Sequence, residues 1–290
     1  MSAPSIDRRA ARRACSRAAA GYADAAVLAR EVEARMLERL RYMKLAPSRI
    51  LDAGCGDGDG AKRLAERYPD AQVVGLDLAY PMLQAARSHD PWLRRVFKRT
   101  RIDYLCADFA SVPLPAASVD LVWSNLALHY AGDPQPALKE LRRVLKVEGL
   151  LMFSCYGPDT LKELKSAFAA HDSAPHVHGF IDMHDLGDML STYGYSAPVM
   201  DMELITLTYT DTDAMFADLR ATGQQNMLTE RRRGLTGKGV FRAMRLEYEK
   251  LRRDGRLPAS FEIIYGHAWK PAPRLADDGR AIVRMPARRA

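Results

Sequence analysis

The sequence predicts an α/β fold in which a mostly parallel sheet is covered by helices on both faces. Short apolar segments alternate with amphipathic segments along the first half of the chain, and the first apolar segment runs straight into a glycine-rich turn. Acidic or amide residues follow several of the apolar segments. Strands that alternate with helices are joined by crossover connections, which make the sheet parallel and bury both its faces.

Seven segments have the length and the apolar, β-branched or aromatic content of strands. In chain order they are 49–54, 72–77, 104–108, 119–125, 150–156, 199–209 and 261–269. Helical spacing of apolar residues, together with a proline suited to a first helical turn at Pro81, predicts the intervening helices. These are 24–43, 60–68, a helix that begins at Pro81, 136–145, 159–170 and 182–192, followed by a long helical and basic insertion at 211–258.

Composition limits the classes of protein to consider. The chain has 290 residues, 48% of them hydrophobic, which is enough for one large domain. No apolar run approaches the roughly 18 residues that cross a membrane, and the four cysteines lack metal-site spacing. We therefore expect a reduced, cytoplasmic protein. The arginine-rich start also suits an organelle transit peptide, although Asp7 interrupts its basic run.

The positive charge of the chain is concentrated in a few segments. The net charge is +7, and residues 231–256 alone hold ten Lys or Arg against three acidic residues. Residues 1–17 and the tail from Pro271 are also basic. Concentrated positive charge attracts an acidic partner and speeds encounter. Nucleic acid, a membrane surface and an acidic protein would each satisfy it.

The segment LDAGCGDG, residues 51–58, carries the strongest chemical signal. Gly54, Gly56 and Gly58 lie between a strand and a helix, where the backbone can turn tightly and approach a ligand. Dinucleotide sites have G-x-G-x-x-G, but Asp59 occupies the third glycine position and disfavours a pyrophosphate. S-adenosylmethionine has no phosphate and carries an ammonium group, which suits the acidic Asp52 beside this turn.

Polar residues after the next strands extend this predicted site. Asp77 follows the second strand, where a carboxylate can accept hydrogen bonds from both ribose hydroxyls. Asp108 and Phe109 suit an adenine amino group and ring, and Asn125 ends the fourth strand at the ligand-binding edge. The alternative is that these residues only cap helices. The cofactor-binding residues predicted in this way are Asp52, Gly54, Gly56, Gly58, Asp77, Leu78, Asp108, Phe109 and Asn125.

Taken in order, LDAGCGDG, VVGLD, CADF and LVWSNLALHY resemble the motifs of the class I methyltransferases. Segments outside this half are more specific: SRAAAGYADAAVLAREV, YGPDTLKEL, GFIDMHDLGDML, PVMDMELITLTY and YGHAWKP. With them, residues 14–271 resemble the malonyl-acyl carrier protein O-methyltransferases of biotin synthesis. The resemblance implies a Rossmann-like, seven-stranded fold, S-adenosylmethionine as cofactor, and methylation of the free malonyl carboxylate on an acidic acyl carrier protein.

The resemblance also implies a division of the chain. We expect residues 1–45 to form a helical segment that closes the site and 46–270 to form the methyltransferase domain. Cap insertions are expected near 157–180 and 211–258, and a basic tail at 271–290. A malonyl carboxylate is already ionised at neutral pH, so its methylation requires positioning and removal of water, with no general base.

Candidate residues for positioning and docking follow from this reading. Tyr22 is the candidate that closes over the methyl donor, with packing against the sheet as its alternative. Carrier or substrate contacts are assigned to Arg17, Arg143, Tyr156, Arg231, Arg232 and Arg233. A solvated helix face is the alternative for the basic stretch. Because the spacing of His176, His178 and His184 is irregular, we expect no metal site.

Other functions share parts of these motifs. Arginine hydroxylases that assemble mitochondrial complex I look similar across YGPDTLKEL, HDLGDML and the late apolar strand. A small-molecule methyltransferase with another acceptor, and an adaptor that binds the cofactor only for stability, also remain open. Neither nucleic acid nor a membrane is the partner that we expect, and the sequence leaves the oligomeric state undetermined.

Overall fold

A seven-stranded sheet organises the chain in the computed structural model, which describes residues 5–88, 102–234 and 236–273. The strands lie in the order β3-β2-β1-β4-β5-β7-β6. Strands β1 to β5 are parallel, and β7 pairs antiparallel with both β5 and β6. The strands are β1 (Arg49–Ala53), β2 (Gln72–Asp77), β3 (Ile102–Cys106), β4 (Val119–Ser124), β5 (Leu145–Tyr156), β6 (Ser196–Tyr209) and β7 (Leu257–Trp269).

The strand order reverses at β1, which lies between β2 and β4. In open α/β sheets a crevice forms beyond the carboxyl ends of the strands at such a reversal, and ligands bind there. The glycine-rich turn follows β1 directly, so the fold brings this turn to the crevice.

Ten α-helices flank the sheet in the described residues. They are α1 (Arg8–Ala18), α2 (Tyr22–Ala25), α3 (Val27–Arg39), α4 (Asp59–Arg67), α5 (Tyr80–Ser88), α6 (Gln135–Val144), α7 (Lys162–Ala169), α8 (Met183–Thr192), α9 (Thr212–Ala221) and α10 (Lys238–Glu249). Short 3₁₀ turns cover Leu40–Tyr42 and Leu128–Ala131.

The core consists of two large apolar layers, one on each face of the sheet. One layer packs β1, β4, β5 and β7 residues against α3, α4 and the cap helices α7, α9 and α10. The other packs the opposite side chains of the same strands against α6 and α8. Trp123 and Phe153 are fully buried, on opposite faces. Burial of both faces explains why these strands read as continuous apolar runs.

The α/β class and the mostly parallel seven-stranded sheet are confirmed, with shifts at element ends. Strand β3 ends at Cys106, so Asp108 lies two residues beyond it rather than at its end. The predicted helix 24–43 is divided between α2, α3 and a 3₁₀ turn. Strands β6 and β7 begin earlier than expected because they pair with each other along almost their whole length.

Candidate active site

The turn after β1 has a backbone that glycine favours. Gly54 has φ +87°, and a Cβ on it would lie 2.2 Å from the Cβ of Ala127. Gly58 has φ +77°, and a Cβ there would lie 2.7 Å from the hydroxyl oxygen of Tyr104. A larger residue would be both strained and obstructed at each position. Gly54 therefore allows the turn to pack closely against the segment that follows β4, and Gly58 allows it to pack against β3.

Asp77, the last residue of β2, fixes this turn from the neighbouring strand. Its Oδ2 accepts a hydrogen bond from the Gly56 amide at 3.0 Å, and its Oδ1 accepts one from the Ala79 amide at 2.8 Å. Burial raises the pKa of the Asp77 carboxyl, and these amide hydrogen bonds oppose the rise. The carboxylate is held at the edge of the crevice, where it is only partly covered.

A cavity of about 100 Å³, here called the rim cavity, lies over the glycine turn. It is formed by the carboxyl ends of the strands below and by α1 above. The structure brings nine of the predicted residues together around it, from segments far apart in the chain. They are Tyr22, Gly54, Gly56, Asp77, Leu78, Asp108, Phe109, Asn125 and Tyr156.

Beside the rim cavity is a smaller cavity of about 40 Å³, the acidic side pocket, lined by Glu33 and Asp52. Both side chains are almost fully buried. Burial, reinforced by neighbouring carboxylates, raises the pKa of Asp52 to about 8 and that of Glu33 well above its usual range. Arg30 is committed to Asp57 at 2.9 Å and to Asp59 at 2.8 Å.

The acidic side pocket therefore has more carboxylates than cations close to them. Among the described residues, the cationic atom that faces Glu33 is Nε of Arg63, 3.8 Å from its Oε2. A ligand that brings an ammonium group would relieve the repulsion between these buried carboxylates. The residues present thus fit the aminoacyl end of S-adenosylmethionine, with the ribose toward Asp77.

Tyr22 and Asn125 hold the wall between the rim cavity and the acidic side pocket, and both line the two. A Cβ on Gly56 would lie 3.7 Å from the Tyr22 ring, so this ring lies over the glycine turn. The Asn125 amide donates to the Ala29 carbonyl at 2.8 Å and accepts from the Ser154 hydroxyl at 2.8 Å. Asn125 thereby ties α3 to the ends of β4 and β5.

Helix α1 covers the rim cavity and is fastened at its start. Asp7 caps this helix by accepting from the Ala10 amide, and it also pairs with Arg231 at 2.9 Å. Isolated strand pairing joins Ile6 to Leu228 next to this ion pair. Arg8 forms an ion pair with Asp108 across the cavity wall. The N-terminal segment is therefore anchored to the loop between α9 and α10.

A second cavity of about 300 Å³, the cap cavity, adjoins the rim cavity. The segments 157–180 and 211–258 supply most of its wall, including Phe168, Phe216 and Phe241. The two cavities share three lining residues, Tyr130, Tyr156 and Gln224. The two cavities therefore adjoin at these three side chains.

The shared wall is fixed by hydrogen bonding and ring packing. The Gln224 amide donates to the Tyr156 hydroxyl oxygen at 2.7 Å. The His129 ring lies 4.6 Å from the Tyr156 ring, centroid to centroid. Burial lowers the pKa of His129 to about 3 and that of His178 to about 4, so both imidazoles are neutral at pH 7.

Comparison with known proteins identifies the family. A methyltransferase domain model matches residues 51–153. The malonyl-[acyl-carrier protein] O-methyltransferase of Gallionella capsiferriformans strain ES-2 is 54% identical over 279 residues, covering 96% of each chain. The protein of the same name from Laribacter hongkongensis strain HLHK9 is 50% identical, again over 96% of each chain. The chain belongs to the malonyl-[acyl-carrier protein] O-methyltransferase family.

The fold agrees with this membership. The YcgJ protein of Bacillus subtilis, a solved structure, superimposes with a TM-score of 0.58 at 18% identity, covering 84% of this chain and 99% of its own. At that identity the likeness concerns the fold alone. The family membership favours the methyltransferase reading over the arginine hydroxylases of complex I assembly.

Several residues that the sequence assigned to this methyltransferase site lie elsewhere. Arg143 is held by Glu140 and by the carbonyls of Val112 and Leu114, at the amino-end side of the sheet. It lines neither the rim cavity nor the cap cavity, so the structure does not bring it to the acyl site, and its contact with the carrier stays a prediction. Arg17 is exposed and lines neither cavity. Gly58 supports the turn from behind, and Asp52 lines the acidic side pocket instead of the rim cavity.

The basic stretch is divided by its contacts. Arg231 is largely buried and committed to Asp7 and the Leu228 carbonyl. Its role in docking stays a prediction. Arg232 pairs with Asp172 at 2.8 Å but stays half-exposed, and Arg233 is exposed. One arginine of this run is thus held by long-range packing, and the other two lie at the surface.

Sequence reasoning missed other members of the site. The rim cavity is also lined by Arg8 and Arg12 from α1 and by Thr222 and Gln224 after α9. The acidic side pocket is also lined by Glu33 from α3. A run of uncharged polar residues, Gln224 to Asn226, after a helical segment was the available signal for Gln224. Glu33 had a weaker signal, a charge on the apolar face of a helix.

Over residues 5–88, 102–234 and 236–273, no group of three or more His, Cys, Asp or Glu is arranged to hold a metal ion. No helix within those ranges is long and apolar enough to cross a membrane. The predicted basic tail lies, from residue 274 onward, outside the described residues.

Proposed function

We propose that the chain methylates the free carboxylate of malonyl-acyl carrier protein, with S-adenosylmethionine as the methyl donor, and so supplies the malonyl methyl ester for biotin synthesis. The observation that carries this proposal is the near-full-length likeness to relatives named for that activity, 54% and 50% identical. The adjoining rim and cap cavities support it, because they provide separate sites for a donor and an acyl group that meet at one wall.

The donor would be held along the rim cavity and the acidic side pocket. When bound, S-adenosylmethionine supplies a methyl group on a positively charged sulfur. Asp77 would accept hydrogen bonds from the ribose hydroxyls, and Asp52 with Glu33 would neutralise the ammonium group. Leu78 and Phe109 would pack on the adenine. Asp108 would accept from the adenine amino group, sharing or exchanging its present contact with Arg8.

The acyl carboxylate would enter from the cap cavity. It is ionised at neutral pH, so no residue has to remove a proton from it. His129 and His178 are neutral and are needed only as walls. The aromatic lining excludes water from the carboxylate, and Tyr22, Tyr130 and Tyr156 restrict its approach to the methyl group.

The carrier protein would dock on the basic surface next to the cap cavity. Arg232 and Arg233 lie on this surface, as does the exposed Arg242 of α10. Surface arginines favour an acidic partner and raise the rate of encounter without fixing its pose. We propose that the carrier is acidic and that its acyl arm enters between the two cap insertions.

The direct test is transfer of a radiolabelled methyl group. The purified protein is incubated with methyl-labelled donor and malonyl-loaded carrier, and acetyl-loaded carrier serves as the matched control without a carboxylate. We expect label on the malonyl-loaded carrier alone, and we expect mild base to release it as methanol because it is held as an ester. Absence of label, or base-stable label on arginine, would contradict the proposal.

A genetic test uses a biotin-requiring strain that lacks this methylation step. We expect the wild-type chain to restore growth without biotin and the Asp77→Ala variant to fail. Equal expression of both proteins is the control. Rescue by the variant would show that Asp77 is not the ribose ligand.

A further inference from the structure

We propose that Arg220 binds the free carboxylate of the acyl group and that it is the residue by which the protein selects a malonyl over an uncharged acyl chain. Arg220 lies near the end of α9 and lines the cap cavity. The inference rests on the proposed function, because it concerns the substrate that this function assigns to the cap cavity.

The charge of the cap cavity favours an anionic ligand. No acidic residue of the described chain lines this cavity, in contrast to the rim cavity and the acidic side pocket. Its histidines do not supply free positive charge: His129 and His178 are neutral, and His176 faces Asp172 at 2.9 Å. Arg220 is therefore the one permanent cation among the described residues of this wall.

Arg220 is exposed and has no carboxylate partner within the described ranges. Other arginines of the described chain are engaged: Arg30 pairs with Asp57, Arg231 with Asp7, and Arg39 with Asp201. A guanidinium that borders an aromatic cavity and is left without a counter-ion is suited to an anionic ligand. The arginine stem can pack along the apolar wall while its head reaches the ligand.

The position of Arg220 in the chain also favours this role. The backbone N–H of Gln224 donates to the Leu219 carbonyl at 2.7 Å, so the chain folds back immediately after α9. The same fold-back supplies Thr222 to the rim cavity and Gln224 to both cavities. Arg220 thus lies at the end of α9, directly before the turn that lines both cavities. Phe216 lies one helical turn earlier.

Tyr156 supplies the orientation. Its hydroxyl oxygen accepts from Gln224, which leaves the hydroxyl proton free to be donated to a carboxylate oxygen. With Arg220 and Tyr156 holding the carboxylate from the cap side, one oxygen stays free to face the methyl group. Methylation converts the carboxylate into a neutral ester, which loses the ion pair with Arg220. The product therefore leaves more readily than the substrate.

Binding measurements test this assignment without turnover. The affinities of malonyl-loaded and acetyl-loaded carrier are measured with S-adenosylhomocysteine present, for the wild type and for Arg220→Gln, Arg220→Lys and Arg41→Gln. Arg41 is an exposed arginine at the amino-end side of the sheet and serves as the matched control. We expect Arg220→Gln to weaken malonyl-carrier binding about 10- to 100-fold and to leave acetyl-carrier binding unchanged.

Arg220→Lys retains the positive charge but loses the fork geometry, so it should lose less affinity for malonyl-carrier than Arg220→Gln. In steady-state assays Arg220→Gln should raise KM for malonyl-carrier and leave kcat within about threefold. Equal weakening of both carriers would overturn the assignment, because Arg220 would then contact the acyl arm or the carrier itself. An unchanged malonyl affinity would overturn it as well.

The outcome is separable from that of the proposed function. If the wild type transfers no label to malonyl-carrier, the proposed function fails and this inference fails with it. If the wild type transfers label and Arg220→Gln still prefers malonyl-loaded over acetyl-loaded carrier by the same factor as the wild type, only the role of Arg220 is contradicted. Thermal melting of each variant verifies that it is folded.

Discussion

The rim cavity and the cap cavity lie side by side but differ in charge and in origin. The rim cavity and its acidic side pocket are lined by carboxylates, among them Asp77, Asp108 and Asp52. The cap cavity is lined by aromatic rings, neutral histidines and Arg220. A cationic donor suits the first and an anionic acyl group suits the second. We expect this electrostatic contrast to favour each substrate in its own cavity, although Arg8 and Arg12 also line the rim cavity.

The two cavities also differ in how the chain builds them. Much of the rim cavity follows directly from strand ends and a glycine turn, whose positions the parallel sheet fixes. The cap cavity requires 157–180 and 211–258 to meet in space, and no local pattern determines that meeting. The lesson is that cofactor binding belongs to the fold, whereas acceptor choice belongs to the insertions.

The largest effect is expected from removing the carboxylate of Asp77 from the rim cavity. It should impair donor binding and leave carrier binding unchanged, and so distinguish the two cavities. Asp77→Ala should weaken donor binding by about 100-fold or more, since charge-assisted hydrogen bonds to the ribose hydroxyls are lost. Calorimetry with S-adenosylhomocysteine measures this loss. Malonyl-carrier affinity should change little, and a comparable loss there would show that the two cavities are not independent. Asp77→Asn, which retains an oxygen for the turn amides, controls for misfolding.

The next effect is a pH dependence that should belong to the acidic side pocket. In the free protein the pKa of Asp52 is raised to about 8 by burial and by nearby carboxylates. The ammonium group of the donor requires the ionised form, so donor affinity should rise with pH between about pH 6 and 7.5. The slope should approach tenfold per pH unit. Calorimetry over this range measures it.

Asp52→Asn is the control for this pH dependence. Its donor affinity should be weaker at pH 7.5 and should rise less steeply with pH over the same range, because Glu33 remains. The stability of the donor-free wild type should change in the opposite direction. Because the folded-state pKa of Asp52 lies above the unfolded value, the stabilising contribution is present at low pH and is lost as pH rises toward about 8. A wild-type donor affinity independent of pH would contradict this role of Asp52.

Much of the fold and of the rim cavity could be predicted from the sequence because both depend on local patterns. Apolar runs predicted every strand of the described sheet, and polar residues after those runs predicted Asp77, Asp108 and Asn125. The sequence predicted a helical segment over residues 1–45 but not the bounds of α1, because its apolar face consists of small alanines such as Ala11 and Ala14 that give a weak periodic signal.

The cap cavity could not be predicted to the same degree. Tyr156 was found because it ends a strand, but Arg220 and Gln224 follow from the packing of α9 against other cap segments. The ion pair of Arg231 could not be predicted for a related reason. Its partner Asp7 lies 224 positions away in the sequence, and nothing near either residue signals the pair.

A smaller effect is expected from the surface outside both cavities. Arg233→Glu should raise KM for malonyl-carrier about five- to tenfold at low salt, by repelling an acidic carrier. The effect should shrink as ionic strength rises, because exposed charges are screened. Arg41→Glu on the far side of the sheet is the control. If both variants behave alike, Arg233 is not part of the docking surface.

The smallest effect should come from the ion pair that anchors α1. Asp7→Asn, Arg231→Gln and the double variant form a cycle around a partly covered pair. The losses of stability in the two single variants should not add in the double variant, because either substitution alone breaks the pair. Stopped-flow release of the donor should quicken about two- to fivefold in each single variant, with no further gain in the double. Unchanged release would show that α1 opens by another route.

Calorimetry of donor and carrier on one protein sample tests the two-cavity account most directly. We expect one S-adenosylhomocysteine to bind per wild-type chain, and malonyl-carrier to bind afterward. Asp77→Ala should lose the first event, while Arg220→Gln should keep the first and weaken the second. A wild-type protein that binds neither S-adenosylmethionine nor S-adenosylhomocysteine, or variants that each impair both events equally, would contradict the account.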